Sequence, residues 1–286
     1  MRHVILDPRQ QLLAGVPVAE RTLELAGITT AVLEGGNGPP LLLLHGPGSH
    51  MAEWAALLPD LVSRWSVVVP DLPGHGATEA PSEVPEAERV LRWLGELIAH
   101  TCPVPPAVVG HTLAGAIAAR FAAEQGDRIA RLVLVDTLGL APFQPAPEFA
   151  SALAGFVADP NEATYERLWG QCAYDLDRLH ARMGERWDTL RAYTLDRVRA
   201  PGAEAVQGAL MEQFGFPAIA PEALARIPVP TALIWGRQDL ATSLAVAETA
   251  SARYGWPLQV IDDAADDPRL EQPARFLDAM RMALGR

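Results

Sequence analysis

With 286 residues, 49% of them hydrophobic, the chain is long enough to bury one large α/β core. Its 35 Asp and Glu outweigh 23 Lys and Arg, and a net charge of −12 argues against nucleic acid and anionic lipid as partners. No run approaches the ~18 apolar residues of a membrane helix. The amino-terminal residues lack the long apolar stretch of a signal peptide, and two cysteines, Cys102 and Cys172, suit reduced thiols, so a cytoplasmic location is expected.

Along the chain, short apolar runs alternate with longer helical patterns, the signature of a mostly parallel sheet covered on both faces. Residues 22–34 read as an opening hairpin. PLLLLHG (40–46), SVVVPDL (66–72), AVVGH (107–111), RLVLVD (131–136), TALIWG (231–236) and PLQVID (257–262) follow as strands. Amphipathic segments starting near Met51, Glu86, Thr112, Ser243 and Arg269 are the expected crossover helices. Between Gly139 and about Arg226 the alternation stops. Tyr165, Leu168, Trp169 and Cys172, then Leu176, Leu179 and Met183, recur at helical spacing. A Pro-rich stretch, GLAPFQPAP, leads into this block. The expected organisation is a core from 1–138 and 227–286 with a helical lid inserted at 139–226.

Four motifs stand at strand ends in a fixed order: His45-Gly46-Pro47-Gly48, Asp71-Leu72-Pro73-Gly74-His75-Gly76, Gly110-His111-Thr112-Leu113-Ala114-Gly115, and Gly236-Arg237-Gln238-Asp239. In this order and spacing they make the chain resemble the α/β-hydrolase superfamily over nearly its whole length. The resemblance implies a mostly parallel eight-stranded sheet with helices on both faces and an inserted helical lid. The segment DPNEATYERLWGQCAYD (159–175) is similar to lids of the meta-cleavage-product hydrolase and esterase branches.

The family's G-x-S-x-G elbow offers a serine, and here Thr112 holds that place; its branched side chain is ill suited to a positive φ. A pocket-lining or helix-capping role is the alternative. Asp239 matches the triad acid, and Asp136 is a second family position for one, more commonly a loop holder. In the stretch from Asp263 to Phe276 the Pro, Glu, Pro and Phe of the family pattern align, but Asp266 stands where the histidine belongs, and no histidine follows His180. The serine-hydrolase mechanism, which needs that imidazole as base and acid, is therefore not expected. The oxyanion hole would use the N–H of Leu113 and one from the loop after the third strand; Pro47, which follows Gly46, has none, so Gly48 or a side chain could substitute only if the loop is rearranged. His45 and His75 are expected to brace loops, His50 and His111 to line the pocket. Asp267-Pro268 reads as a helix cap, and no metal or cofactor is expected.

These residues suggest an enzyme acting on a small apolar carbonyl- or epoxide-containing metabolite by unconventional acid/base chemistry: lyase, isomerase, cyclase or water addition. A hydrolase using Thr112 with a relocated base, or a binding protein without catalysis, are the alternatives. Trp169, Trp187, Phe143, Phe149, Phe156, Phe214 and Phe216 are expected to furnish an apolar pocket.

Overall fold

The computed structural model describes residues 7–285. Eight strands form one sheet in the order β1-β2-β4-β3-β5-β6-β7-β8. β1 (Ala19–Leu25) and β2 (Ile28–Gly35) make the opening hairpin, and β2 also lies antiparallel to β4 (Ser66–Pro70). From β4 through β3 (Pro40–Leu44), β5 (Ala107–His111), β6 (Arg131–Val135), β7 (Thr231–Gly236) and β8 (Leu258–Ile261) all pairings are parallel. The strands stop one or two residues before the runs 40–46, 66–72, 131–136 and 257–262 end. His45, Asp71 and Asp136 therefore lie on loops at the carboxyl edge, where side chains from different strands converge.

Burial explains the apolar runs. Along β3, Leu42 and Leu44 face one core with Val90, Trp93, Leu94, Leu97 and Phe121, while Leu41 and Leu43 face a second with Trp54, Leu57, Phe276 and Met280. A strand covered on both sides needs hydrophobic residues at every position, and each such side chain contributes roughly 1.5–3 kcal/mol. The covering helices include α2 (Leu58–Val62), α3 (Ala87–Thr101) and α4 (Leu113–Gln125), whereas α1 (Pro8–Leu13) packs its Leu12 against the helices inserted between β6 and β7. α1 was not evident in the sequence: six residues start at a capping box between Asp7 and Gln10.

Between β6 and β7 the chain is helical: α5 (Pro147–Ala158), α6 (Glu162–Cys172), α7 (Leu176–Met183), α8 (Glu185–Val198), α9 (Ala203–Leu210), a π turn over Met211–Gly215, and α10 (Pro221–Leu224). Asn161 and Thr164 cap α6 reciprocally, and the Asp175 side chain caps α7. These helices meet the loops at the carboxyl edge. Cys172 accepts the Asp266 N–H (3.1 Å), Leu240 accepts that of Ala146 (2.8 Å), and Gln207 Nε2 donates to Gly74 (3.2 Å).

The last elements are α11 (Leu244–Tyr254), α12 (Pro268–Glu271) and α13 (Pro273–Leu284). The sequence suggested one closing helix from about Arg269. Pro273 divides it, because proline cannot donate to the preceding turn. Asp267 caps α12, accepting the Leu270 N–H at 3.3 Å, as the Asp-Pro pair led one to expect.

Candidate functional site

The elbow between β5 and α4 places Thr112 at φ 45° and ψ −111°, unfavourable for a β-branched residue. The surroundings enforce it: Thr112 N–H donates to Val135, and its carbonyl accepts from Thr137 Oγ1 and Leu138 N–H. Thr112 Oγ1 is buried, makes no cap bond, and has no hydrogen-bonding partner among the described residues. The loop after β3 comes very close. A Cβ on Gly46 would collide with Thr112 Oγ1 and stand 2.9 Å from His111 Nδ1, so only glycine fits there. Leu113 opens α4, and its N–H belongs to the first-turn donors that lack an intrahelical acceptor. Gly48 sits at φ 66° further along the β3 loop.

Asp239 lies in the turn after β7, 4% exposed, with Oδ1 accepting the N–H groups of Ala241 (2.7 Å) and Thr242 (2.9 Å). Its Oδ2 has no partner, and neither has Asp266 Oδ1 on the loop after β8. Burial, and then Asp266, push the Asp239 carboxyl well above the ordinary carboxylate range. Burial, and then Asp267, raise Asp266 to about 7. Asp136, at φ 43°, accepts the Gly236 N–H (2.8 Å) and so ties β6 to β7; burial, and then Asp239, push its carboxyl well above the ordinary carboxylate range. Three carboxyl groups thus influence one another at the ends of β6, β7 and β8, which favours sharing of protons among them.

The histidines divide by role. His45 Nε2 accepts the Leu72 N–H (3.0 Å), so its Nδ1 carries the proton donated to the Gly46 carbonyl (2.8 Å); with Asp71 it braces the β3 and β4 loops. His75 donates from Nδ1 to Pro73 (2.9 Å). His50 reaches Thr194 Oγ1 on α8 (3.3 Å) and lies edge-on to Tyr193, and so links the core to the inserted helices. His111 Nε2 contacts the Asp266 carbonyl at 2.7 Å, and its Nδ1 is buried without a partner.

The aromatic expectation is corrected. Phe156, Tyr165 and Trp187, with Trp169 beside them, pack together inside the inserted helices, and Phe214 joins the core around α4. Phe143 stacks on Phe216 at 5.7 Å, so most of these rings bury one another. Phe149 packs with Cys172 and Ala241 near the Asp239 turn, and Phe143 and Trp169 lie against that cluster.

Sequence reasoning missed a buried charge network. Arg269 donates to Asp267 (2.9 and 3.0 Å) and to Glu53, and lies 4.8 Å over Trp54. Burial lifts Glu53 to about 7 despite Arg269. Glu271 accepts the N–H groups of Ala265 (2.7 Å) and Tyr174 (2.6 Å). Only Glu53, set between Ala52 and Trp54 in an apolar stretch, left a signal; Arg269 stands among acids and resembles an ordinary surface residue.

A family model described as alpha/beta hydrolase fold matches residues 39–267, a span that includes the elbow and the loop after β7. The chain belongs to the α/β-hydrolase family. Among curated relatives of this α/β hydrolase, a pimeloyl-[acyl-carrier protein] methyl ester esterase of Aeromonas hydrophila is 30% identical over 261 residues, 87% of this chain and 97% of that protein. A 2-hydroxymuconate semialdehyde hydrolase of Pseudomonas sp. is 27% identical, covering 91% and 92% respectively. The solved 2-hydroxy-6-oxo-6-phenylhexa-2,4-dienoate hydrolase of Rhodococcus sp. superposes with a TM-score of 0.81 at 23% identity, over 95% of this chain and 100% of that one. Among the described residues, no helix is long and apolar enough to cross a membrane.

Proposed function

We propose that this α/β hydrolase acts on a small, largely apolar metabolite carrying a carbonyl or an epoxide, by general acid/base chemistry of Asp239 and Asp266 rather than through an acyl-enzyme. The observation that carries this reading is the pair itself: buried Asp239 and half-buried Asp266, each with one buried carboxyl oxygen lacking a partner among the described residues, Asp266 raising Asp239. Such a pair supplies a protonated acid and an ionised base side by side near neutral pH. Asp266 occupies the family's histidine position, and Pro47 withdraws an oxyanion donor, both of which weigh against acyl transfer. The methyl ester and semialdehyde in the relatives' names are both carbonyl compounds, which supports the substrate class. In this reading residues 139–226 form a cap over the strand ends, and the protein works in the cytoplasm without a cofactor.

The test is turnover of a panel of small aldehydes, ketones, lactones and epoxides by wild type and Asp266→Asn. The reading expects the substitution to lower a measurable rate by about 100-fold or more, the usual worth of a general acid or base. An unchanged rate removes the pair from catalysis. A second reading, Thr112 as nucleophile, rests on its elbow geometry and free hydroxyl. It requires brisk hydrolysis of p-nitrophenyl acetate that Thr112→Ala abolishes; the acid/base reading expects turnover near background in both proteins.

A further inference from the structure

His111 Nδ1 and Thr112 Oγ1 are two buried polar atoms for which the fold provides no hydrogen bond. The residues are 3% and 4% exposed, and both atoms face the Gly46 backbone. Their roles follow from the protons. The Asp266 carbonyl only accepts, so His111 Nε2 carries the hydrogen it donates at 2.7 Å. Burial, and then Arg269, lower the imidazole to about 4, which keeps it neutral at pH 7. A neutral ring already protonated at Nε2 leaves Nδ1 as a lone pair that can only accept. The Thr112 hydroxyl beside it can donate or accept. Buried polar atoms left unmatched by the fold call for a ligand or a water, and one acceptor beside one donor-acceptor matches a molecule that both gives and takes a hydrogen.

We infer that His111 Nδ1 and Thr112 Oγ1 hold a water molecule and that this water is a co-substrate, so the reaction is water addition rather than isomerisation or cyclisation. The inference rests on the acid/base reading above and narrows it. For an epoxide, the water oxygen attacks a ring carbon and forms a new C–O bond. His111 Nδ1 accepts the hydrogen bond that orients the water, whose departing proton goes to the ionised member of the Asp239–Asp266 pair. The breaking C–O bond leaves its electron pair on the ring oxygen, which takes a proton from the protonated member. One proton has entered the pair and one has left it, and one water has been consumed per diol.

Two substitutions separate catalysis from bracing. His111→Gln keeps a donor for the Asp266 carbonyl and deletes the Nδ1 acceptor; His111→Asn keeps an acceptor near Nδ1 and gives up the brace. The inference expects styrene oxide hydration to fall about 100-fold or more in His111→Gln with little change in Tm, and to be partly retained in a less stable His111→Asn. Single turnover in oxygen-18 water should label the first diol formed. A high-resolution crystal structure of wild type should show a water within about 3.2 Å of both atoms. A direct Thr112–His111 hydrogen bond, an unlabelled first diol, or equal losses of rate and stability in both variants would overturn it. If the water is present but styrene oxide is not turned over, the water site stands and the acid/base reading fails.

Discussion

Two buried polar clusters lie close together at the carboxyl edge of the sheet, and they are built on opposite rules. In the one around Asp71, all but His75 Nε2 is bonded: Asp71 Oδ1 accepts the Met51 N–H, Oδ2 that of Ala77, and the carbonyl takes Thr78 Oγ1, which in turn accepts the Ala31 N–H. Both His45 nitrogens are engaged as well. In the one around Thr112, partnerless atoms gather: Thr112 Oγ1, His111 Nδ1, Asp136 Oδ2, Asp239 Oδ2 and Asp266 Oδ1. Buried polar groups are costly unless paired, and in the proposed reading the open cluster is the one a bound molecule would complete.

The comparison breaks most visibly at Asp71. Asp71→Ala orphans two buried N–H groups and should cost about 3 kcal/mol in urea unfolding, whereas Asp71→Asn, which retains an acceptor, should cost less. Equal losses would mean that packing, not bonding, holds the β4 loop. Next in size, Gly46→Ala drives a methyl into Thr112 and His111. We expect about 1–3 kcal/mol of destabilisation from the overpacking, together with loss of turnover.

On the open side the sign reverses. Asp239 and Asp266 have folded pKa values above their unfolded ones, so the native state holds extra protons and loses stability as pH rises, for Asp266 between about pH 4 and about 7. Asp266→Asn removes this penalty and should raise Tm by several degrees at pH 8 and hardly at all at pH 4. A gain of the same size at both pH values would point to something other than the carboxyl. The smallest effect belongs to Thr112→Gly, which should stabilise by about 1 kcal/mol by relieving the positive φ; calorimetry showing a loss would mean that the threonine's packing outweighs its strain.

How much of this could be read beforehand depended on whether the cause was local. The strands were legible because burial on both faces demands unbroken runs such as Leu41 to Leu44. The elbow was legible because Gly110 approaches Ala114 so closely that a Cβ would stand 2.7 Å from its carbonyl oxygen, a constraint glycine meets at a fixed spacing. Contacts between distant segments left fainter marks. Nothing near His50 announces Thr194, 144 residues away, and the ring-on-ring packing of Tyr165, Trp169 and Trp187 has the same helical periodicity as a pocket lining. The link between Glu53 and Arg269, 216 residues apart, needed the folded chain to be seen.

The bond from the Asp266 amide to the Cys172 carbonyl at the end of α6 acts as an interlock. Any displacement of α6 from the sheet edge releases the backbone that aims one of the two acids. If the proposed cap and acid/base chemistry hold, opening would disarm the acids and closing would restore them, and turnover would then slow in a more viscous medium.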